Sequence, residues 1–454
     1  MADLLAKPTS GAVTLDDIKR YQNTFESDPA LRAAMNAVCT TSVEKVALDR
    51  RTAAVLDNSF SLHLPENPAT SQMKSGRCWM FAALNTFRGM AGRSLNVENG
   101  LELSQNYTMF WDKFEKANYF LENVLATLDE PIGSRLLDFL LAHPIQDGGQ
   151  WHMFVNLIDK YGVVPKTVMP ETESSSATGR MNDFITGKLR EYACSLRKSA
   201  ATGTAEKGLR SAKDEFMSEV YRMLCIHLGE PPASFEFQWR DKDKAFHRAG
   251  RSTPQEFYLK HVGLDLKEFV CLINDPRPEH EYDQVYTVRL LGNVVGGCEV
   301  EYLNVDITTM KKAAIAQIQA GEPVWFGCDV GKFLERDLGV MDEGLFDYGL
   351  VYGTTAGMTK AERLHYRDSL MTHAMVFTGV DVAEDGSSKK WRVENSWSDK
   401  VGDKGYFQMS DPWFNEFNFE VVVHKDHVSG DSLKAIGRKP IELDPWDPMG
   451  SLAL

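Results

Sequence analysis

The stretch "SQMKSGRCWMFAAL", residues 71 to 84, sets a glutamine, a Gly-Arg pair and a cysteine directly before an unbroken apolar run. Trp79 to Leu84 is apolar on every side, so a helix that begins there must be buried. Cys78 then lies at the helix N-terminus, where unpaired backbone N–H groups and the positive end of the helix dipole favour thiolate over thiol. An unperturbed cysteine, with a pKa of about 8.5, is only a few per cent thiolate at neutral pH, and an adjacent imidazolium can lower that pKa to about 3 to 4. A nucleophilic Cys78 therefore needs a histidine. Without one it is a small hydrophobe in a core, the usual fate of a free cysteine.

Two later segments supply the partners. "SLMTHAMVFTGVD" puts His373 at the head of an apolar strand, and "KWRVENSWSDKVGDKGYFQM" puts Asn395 at the end of another, followed by Ser396 and Trp397. If the two strands are antiparallel neighbours, Asn395 accepts from one ring nitrogen and leaves the other to exchange a proton with Cys78. Trp397 would roof that hydrogen bond against water. His152 and His365 are eligible on the same local grounds.

The rest of the chain narrows the class. At 454 residues it suggests two or three domains, and 43% hydrophobic with 25% charged residues is ordinary for a folded protein. A formal net charge of -14 favours solubility and opposes bulk attraction to nucleic acid or anionic membrane. The start, "MADLLAKPTSGAVTLDDIKR", lacks a basic segment followed by an apolar one, and no apolar run approaches the ~18 residues of a membrane span. The seven cysteines are scattered without a C-x-x-C pair, which points to a reducing compartment and away from structural zinc. "PEHEY" around His280 is not H-E-x-x-H, so neither a metal nor any other cofactor is expected.

The elements divide the chain into unlike halves, an α+β pattern with helices early and an antiparallel sheet late. Trp151, Phe154, Val155 and Ile158 repeat at helical spacing and Gly162 follows as a stop. Leu136, Leu137, Leu140 and Leu141 form a second stripe, and Leu209 to Leu224 a third that runs to Gly229. After about residue 283 strands take over: "CEVEYLNVD" alternates, and further strands are expected at 323 to 330, 373 to 382, 390 to 395 and 419 to 424, with one helix at "TTMKKAAIAQIQAG". "ETESSSATG" (171 to 179) and "SAATGTAEKG" (199 to 208) are expected as exposed loops or linkers. The basic stretch Lys188 to Lys213 is expected as a solvated helix face.

Gln72-x-x-x-Gly76-x-Cys78-Trp79, then His373-Ala374, then Asn395-Ser396-Trp397 resembles the papain fold of cysteine peptidases. "DGGQW" (147 to 151) resembles the papain-like Gly-Gly rim, and "RDKDKAF", "NDPRPEHEY", "PVWFGCDVGK" and the terminal "WDPMGSLAL" are similar, in the same order, to segments of its bleomycin hydrolase and aminopeptidase C branch. The Cys78 to His373 separation far exceeds the about 130 to 150 residues of papain and cathepsins, so something of domain size is inserted. The resemblance implies a papain-like fold with an N-terminal helical extension at 1–65 and a first, helical half at 66–170. A mainly helical insertion at 171–290, a second, β-barrel-like half at 291–440 and a C-terminal arm at 441–454 follow. It further implies Cys78, His373 and Asn395 as catalytic residues, Gln72 in the oxyanion hole, and Trp79 and Trp397 as supports. Gly148 and Gly149 would bind substrate backbone, and the Leu454 carboxylate would hold the α-amine of a peptide with a free N-terminus. The same resemblance implies a cytoplasmic homohexamer without cofactor. A catalytically idle or nucleic-acid-binding ring and a thiol acyltransferase remain as alternatives.

Overall fold

The computed structural model describes residues 11–54, 57–97 and 101–452. The chain divides into two compact units, one of Met1–Asp57 with Asp342–Met358 and the other of Asn58–Met341 with Thr359–Leu454.

The smaller unit is helical. Thr14 caps Leu15–Ser27 through a reciprocal box with Asp17, and Asp28 caps Pro29–Val38, which has proline in its first turn. The short helices Val43–Ala47 and Arg50–Ala54 follow. Residues of the 342–358 stretch close onto them: Asp49 N–H donates to Leu345 O (2.9 Å) and Asp347 N–H to Ala47 O (2.7 Å). The unit therefore draws on a segment that sequence reading assigned to the second catalytic half, because distant backbone groups satisfy one another here.

In the larger unit the expected helical stripes are buried faces. Trp151–Tyr161 hides Trp151, Phe154, Val155 and Ile158. It stops at Gly162, whose φ is +67° and whose missing Cβ would lie 2.4 Å from the Pro254 carbonyl. Arg135–Ala142 buries only Leu137 and Leu140 of its four leucines, and Glu206–Leu228 buries Leu209, Val220 and Leu224. Lys213 of the basic stretch is also buried, paired with Glu122, so that helix face is only partly solvated.

A 12-stranded sheet makes the second layer. Its order runs Ile441–Leu443, Gln284–Val288, Glu301–Asn304, Phe269–Ile273, Asn418–His424, Val324–Cys328, His373–Val382, Ser388–Glu394, Tyr406–Ser410, Val340–Met341 and Leu334–Glu335, with Leu62–His63 paired to His373–Val382. The pairing is not wholly antiparallel: 340–341 with 406–410, 441–443 with 284–288, and 269–273 with 301–304 run parallel. Two strands, 269–273 and 284–288, come from the stretch expected as a mainly helical insertion, whose helices occupy chiefly 173–228. In "CEVEYLNVD" only Glu301–Asn304 is strand, and Tyr302, Leu303 and Asn304 are all buried, because both faces of the sheet are covered there. One apolar cluster, including Trp79, Trp151, Trp325 and Val422, fills the space between helices and sheet; another, around Phe377, Trp391 and Phe414, lies on the far face. Cys78–Leu95 packs on the His373–Val382 strand, which brings the first sequence motif to the second.

Candidate active site

Cys78 is the first residue of its helix and has no exposed surface. Arg77, at the cap position, makes no side-chain cap bond, so the N–H groups of Cys78 and Trp79 remain directed at the sulfur. From the sheet, the Ala374 N–H points at the same sulfur. His373 precedes it, 2% exposed. Its Nε2 lies 3.0 Å from Asn395 Oδ1, which also accepts from the Ser396 N–H at 2.7 Å. Two donors on one amide oxygen fix the amide, and the oxygen in turn assigns the proton to Nε2 and leaves Nδ1 as the basic nitrogen. The Trp397 ring lies against the imidazole with centroids 4.9 Å apart. The other eligible histidines go elsewhere: His152 Nδ1 sits 3.5 Å from Cys271 Sγ, and His365 Nε2 2.7 Å from Glu279.

Burial outweighs the helix terminus in the resting state. It pushes the Cys78 thiol up to about 12 despite the three N–H groups, with the Asp147 charge adding to the rise. Burial pulls His373 down to about 4 against the Asn395 bond. Burial thus opposes the charged form of each group, whereas the helix terminus favours thiolate. Stability follows from this with a definite sign. Between pH 6.5 and 4 the unfolded chain takes up a proton on His373 that the folded chain refuses, so stability falls on acidification through that window, by about 3 kcal/mol from this site. Urea denaturation at stepped pH should show that loss, and His373→Gln should flatten the slope there.

Gln72 is held beside this pair by a second strand-like contact. Its N–H donates to Ser396 O (2.9 Å), Ser398 N–H to Thr70 O (2.9 Å), and Ser396 Oγ to Gln72 Oε1 (2.7 Å). Gln72 Nε2 donates to Ser75 O at 2.6 Å, which leaves its second N–H for another acceptor.

Sequence reading missed the supports beneath this loop. Asp147 receives Gly76 N–H (2.9 Å), Lys113 Nζ (2.6 Å), Asn182 Nδ2 (2.8 Å) and the Thr178 hydroxyl, and its carbonyl receives the Trp79 indole N–H at 2.7 Å. Burial alone would raise its pKa, but the Lys113 charge and these bonds hold it well below the usual carboxylate range. Arg77, fully buried, donates to both oxygens of Glu171 (3.1 and 2.8 Å) and lies over the Phe81 ring. The 171–179 stretch, expected as an exposed loop, thus carries the half-buried Glu171 and the buried Ser175, in the capped helix Glu173–Ser176, and Thr178. Serine and threonine serve there as caps and charge partners, which composition alone reads as loop. Removing Asp147 strands Lys113 and frees Gly76. Asp147→Ala is expected to cost about 3 to 5 kcal/mol of stability, read as a lowered melting temperature, together with a fall in turnover.

Gly148 and Gly149 follow Asp147 directly. Gly148 O accepts from Lys116 Nζ at 2.6 Å, and a Cβ on Gly149 would stand 2.5 Å from the Trp79 ring, so only glycine permits this approach. The C-terminal arm reaches the same place. Arg135 stacks on Trp446 at 3.7 Å, and Arg277 bridges Asp275 (2.6 Å) and Asp447 (2.8 Å). Asp447 caps the turn Pro448–Gly450. Ser451 then makes two contacts: its carbonyl accepts from Gln150 Nε2 (2.6 Å), and its hydroxyl donates to Met371 O (2.8 Å), two residues before His373. Leu454 lies outside the described residues.

A buried thiol at a helix start, an imidazole oriented by an amide, and spare N–H donors at the sulfur define a thiol-dependent acyl hydrolase site on a papain-like fold. The chain belongs to the Peptidase C1-like family, which it matches over residues 12–450. It is 45% identical to the aminopeptidase C of Listeria monocytogenes over 97% of this chain and 99% of that protein. Against the bleomycin hydrolase of Homo sapiens the identity is 43%, over 98% and 100%. The crystal structure of PepW from Lactobacillus rhamnosis superimposes with a TM-score of 0.96 at 47% identity, covering 98% of this chain and 100% of that one. The chain is a papain-like cysteine peptidase of the aminopeptidase branch.

Proposed function

We propose that this enzyme removes residues singly from the free N-terminus of peptides through a Cys78 thioester, and that it also hydrolyses the amide of bleomycin. As Cys78 Sγ attacks the carbonyl carbon, its proton passes to His373 Nδ1, and the imidazolium then protonates the departing amine. Water, deprotonated by the same nitrogen, cleaves the thioester and returns the thiol. Asn395 holds the ring through both steps. The oxyanion is received by the spare N–H of Gln72 Nε2 and the backbone N–H of Cys78, where one donor is worth about 3 to 4 kcal/mol of barrier. Gly148 and Gly149 align the substrate backbone.

The observation that carries the exopeptidase reading is the double attachment of Ser451 to Gln150 and Met371. An arm fastened at Ser451 to Gln150 and to Met371, two residues before His373, would close one side of the site to a longer substrate. Kinship with the aminopeptidase C and bleomycin hydrolase branch supports the accompanying reading of a cytoplasmic homohexamer, which light scattering checks. The acidic balance of the chain speaks against nucleic acid as a partner.

The test compares an aminoacyl-coumarin with its N-acetylated form. Hydrolysis of the free amine and none of the acetylated substrate is expected; equal rates on both overturn the reading. A transfer product in the presence of added amine would mark an acyltransferase instead.

A further inference from the structure

Three segments carry the groups of the proposed chemistry: the helix that begins with Cys78, the strand Ser388–Glu394 that runs into Asn395, and the segment 68–72 that ends in Gln72. A carboxylate that the mechanism does not use fastens all three. Glu394, directly before Asn395, is 4% exposed. Its Oε1 accepts from Asn85 Nδ2 at 3.0 Å and from Arg88 Nη2, and both donors belong to the nucleophile's helix. The same two side chains reach the third segment: Arg88 Nη1 donates to Pro68 O at 2.7 Å, and Asn85 Nδ2 to Thr70 Oγ1 at 3.1 Å.

This knot is costly for a core. Burial raises the Glu394 pKa, against the charges of Arg88 and Arg392. Asn85 Oδ1 and Arg88 Nε are buried, and among the described residues neither has a hydrogen-bond partner. A buried ion pair adds little net stability over apolar side chains of the same volume, but its bonds have direction and hold one element at a fixed angle to another. Asn395 needs that. Its Nδ2 is also buried without a partner among the described residues, so the amide is held through Oδ1 alone, by His373 and the Ser396 N–H. Where that oxygen sits depends on where the backbone of 394–396 sits.

We propose that Glu394 is a positioning residue: gripped by Asn85 and Arg88 of the nucleophile's helix, it sets the backbone that carries the Asn395 amide and, through that amide, the His373 ring. The proposal rests on the mechanism above, in which Asn395 orients the imidazole. A buried side chain that acts only through Asn395 changes kcat and leaves substrate affinity alone.

Glu394→Gln keeps the length of the side chain and removes the charge that Arg88 binds. On an aminoacyl-coumarin it should lower kcat about tenfold with KM unchanged within about twofold. Introduced into Asn395→Ala, the same substitution should lower kcat no further, within about twofold, because the group it acts through is gone. A loss of more than about twofold that persists in the Asn395→Ala background, a rise in KM with kcat unchanged, or no loss while Asn395 is present overturns the proposal. If Asn395→Ala is itself as active as the unaltered chain, the reading of Asn395 fails, and the role of Glu394 with it. Should Glu394→Gln not fold, Asn85→Ala cuts one of the two bonds to Glu394 without stranding a charge. It should lower kcat about three- to fivefold with Asn395 present and not at all in Asn395→Ala. Equal losses in both backgrounds overturn the proposal.

Discussion

Cys78→Ala leaves no turnover of any aminoacyl-coumarin, while the folded signature and melting temperature persist. In the proposed mechanism the sulfur forms the thioester, and the other buried thiols among the described residues lie elsewhere: Cys328 is on the strand beside His373, and Cys271 sits beside Glu420. The graded companions make the test specific. Gln72→Ala removes one oxyanion donor and should lower kcat by about 10²- to 10³-fold. Asn395→Ala leaves nucleophile and base in place but frees the ring, and should cost less, on the order of tenfold to a hundredfold. Iodoacetamide mapped by mass spectrometry should find Cys78 alkylated in step with the loss of activity. Wild-type activity in Cys78→Ala would end the assignment.

Removing the residues after Asp447 should turn the enzyme toward internal bonds. The arm is held along its length, by the parallel pairing of Ile441–Leu443 with Gln284–Val288, by Arg277 on Asp447, and by Gln150 and Met371 on Ser451. Cutting after Asp447 keeps the first two attachments and empties the groove. N-acetylated peptides, closed to the intact chain, should then be cleaved with a gain in kcat/KM of about tenfold or more, since the discrimination comes from a clash and an unmatched charge rather than from lost contacts. Unblocked substrates should lose selectivity for the terminal bond. A cleavage pattern unchanged by truncation refutes the gate.

The two predictions separate chemistry from its restriction. The first concerns residues whose types and spacing are visible in sequence, the second a segment whose attachments are not. The arm shows why. Met449 to Leu454 reads as a short apolar tail, which frays in solvent unless tied down. The ties of this tail and of Asp447 just before it are Gln150, Met371 and Arg277, loop residues far apart in the chain and none marked by a local pattern. Likewise the hydroxyl-rich 171–179 stretch reads as linker until Arg77 and Asp147 are seen to use its side chains. Periodicity, by contrast, carried far: the Trp151 stripe, the Ile307–Gln319 helix and the strands at 324–328, 373–382, 388–394 and 418–424 all form where apolar spacing predicts them. It failed at 269–273, a strand whose last three residues are buried, where a short apolar run has no period to read.

By itself the sequence carried the resemblance to the papain-like class and offered Cys78, His373, Asn395 and Gln72 as candidates; Cys78 and His373 begin elements and Asn395 follows one, whose start or stop is written locally. Only the tertiary structure decided their surroundings. The burial that raises the Cys78 thiol and lowers the His373 imidazole, and the Asp147 and Lys113 support, arise from residues far away in the chain. Desolvation depends on what covers a group, and no local stretch of sequence specifies that.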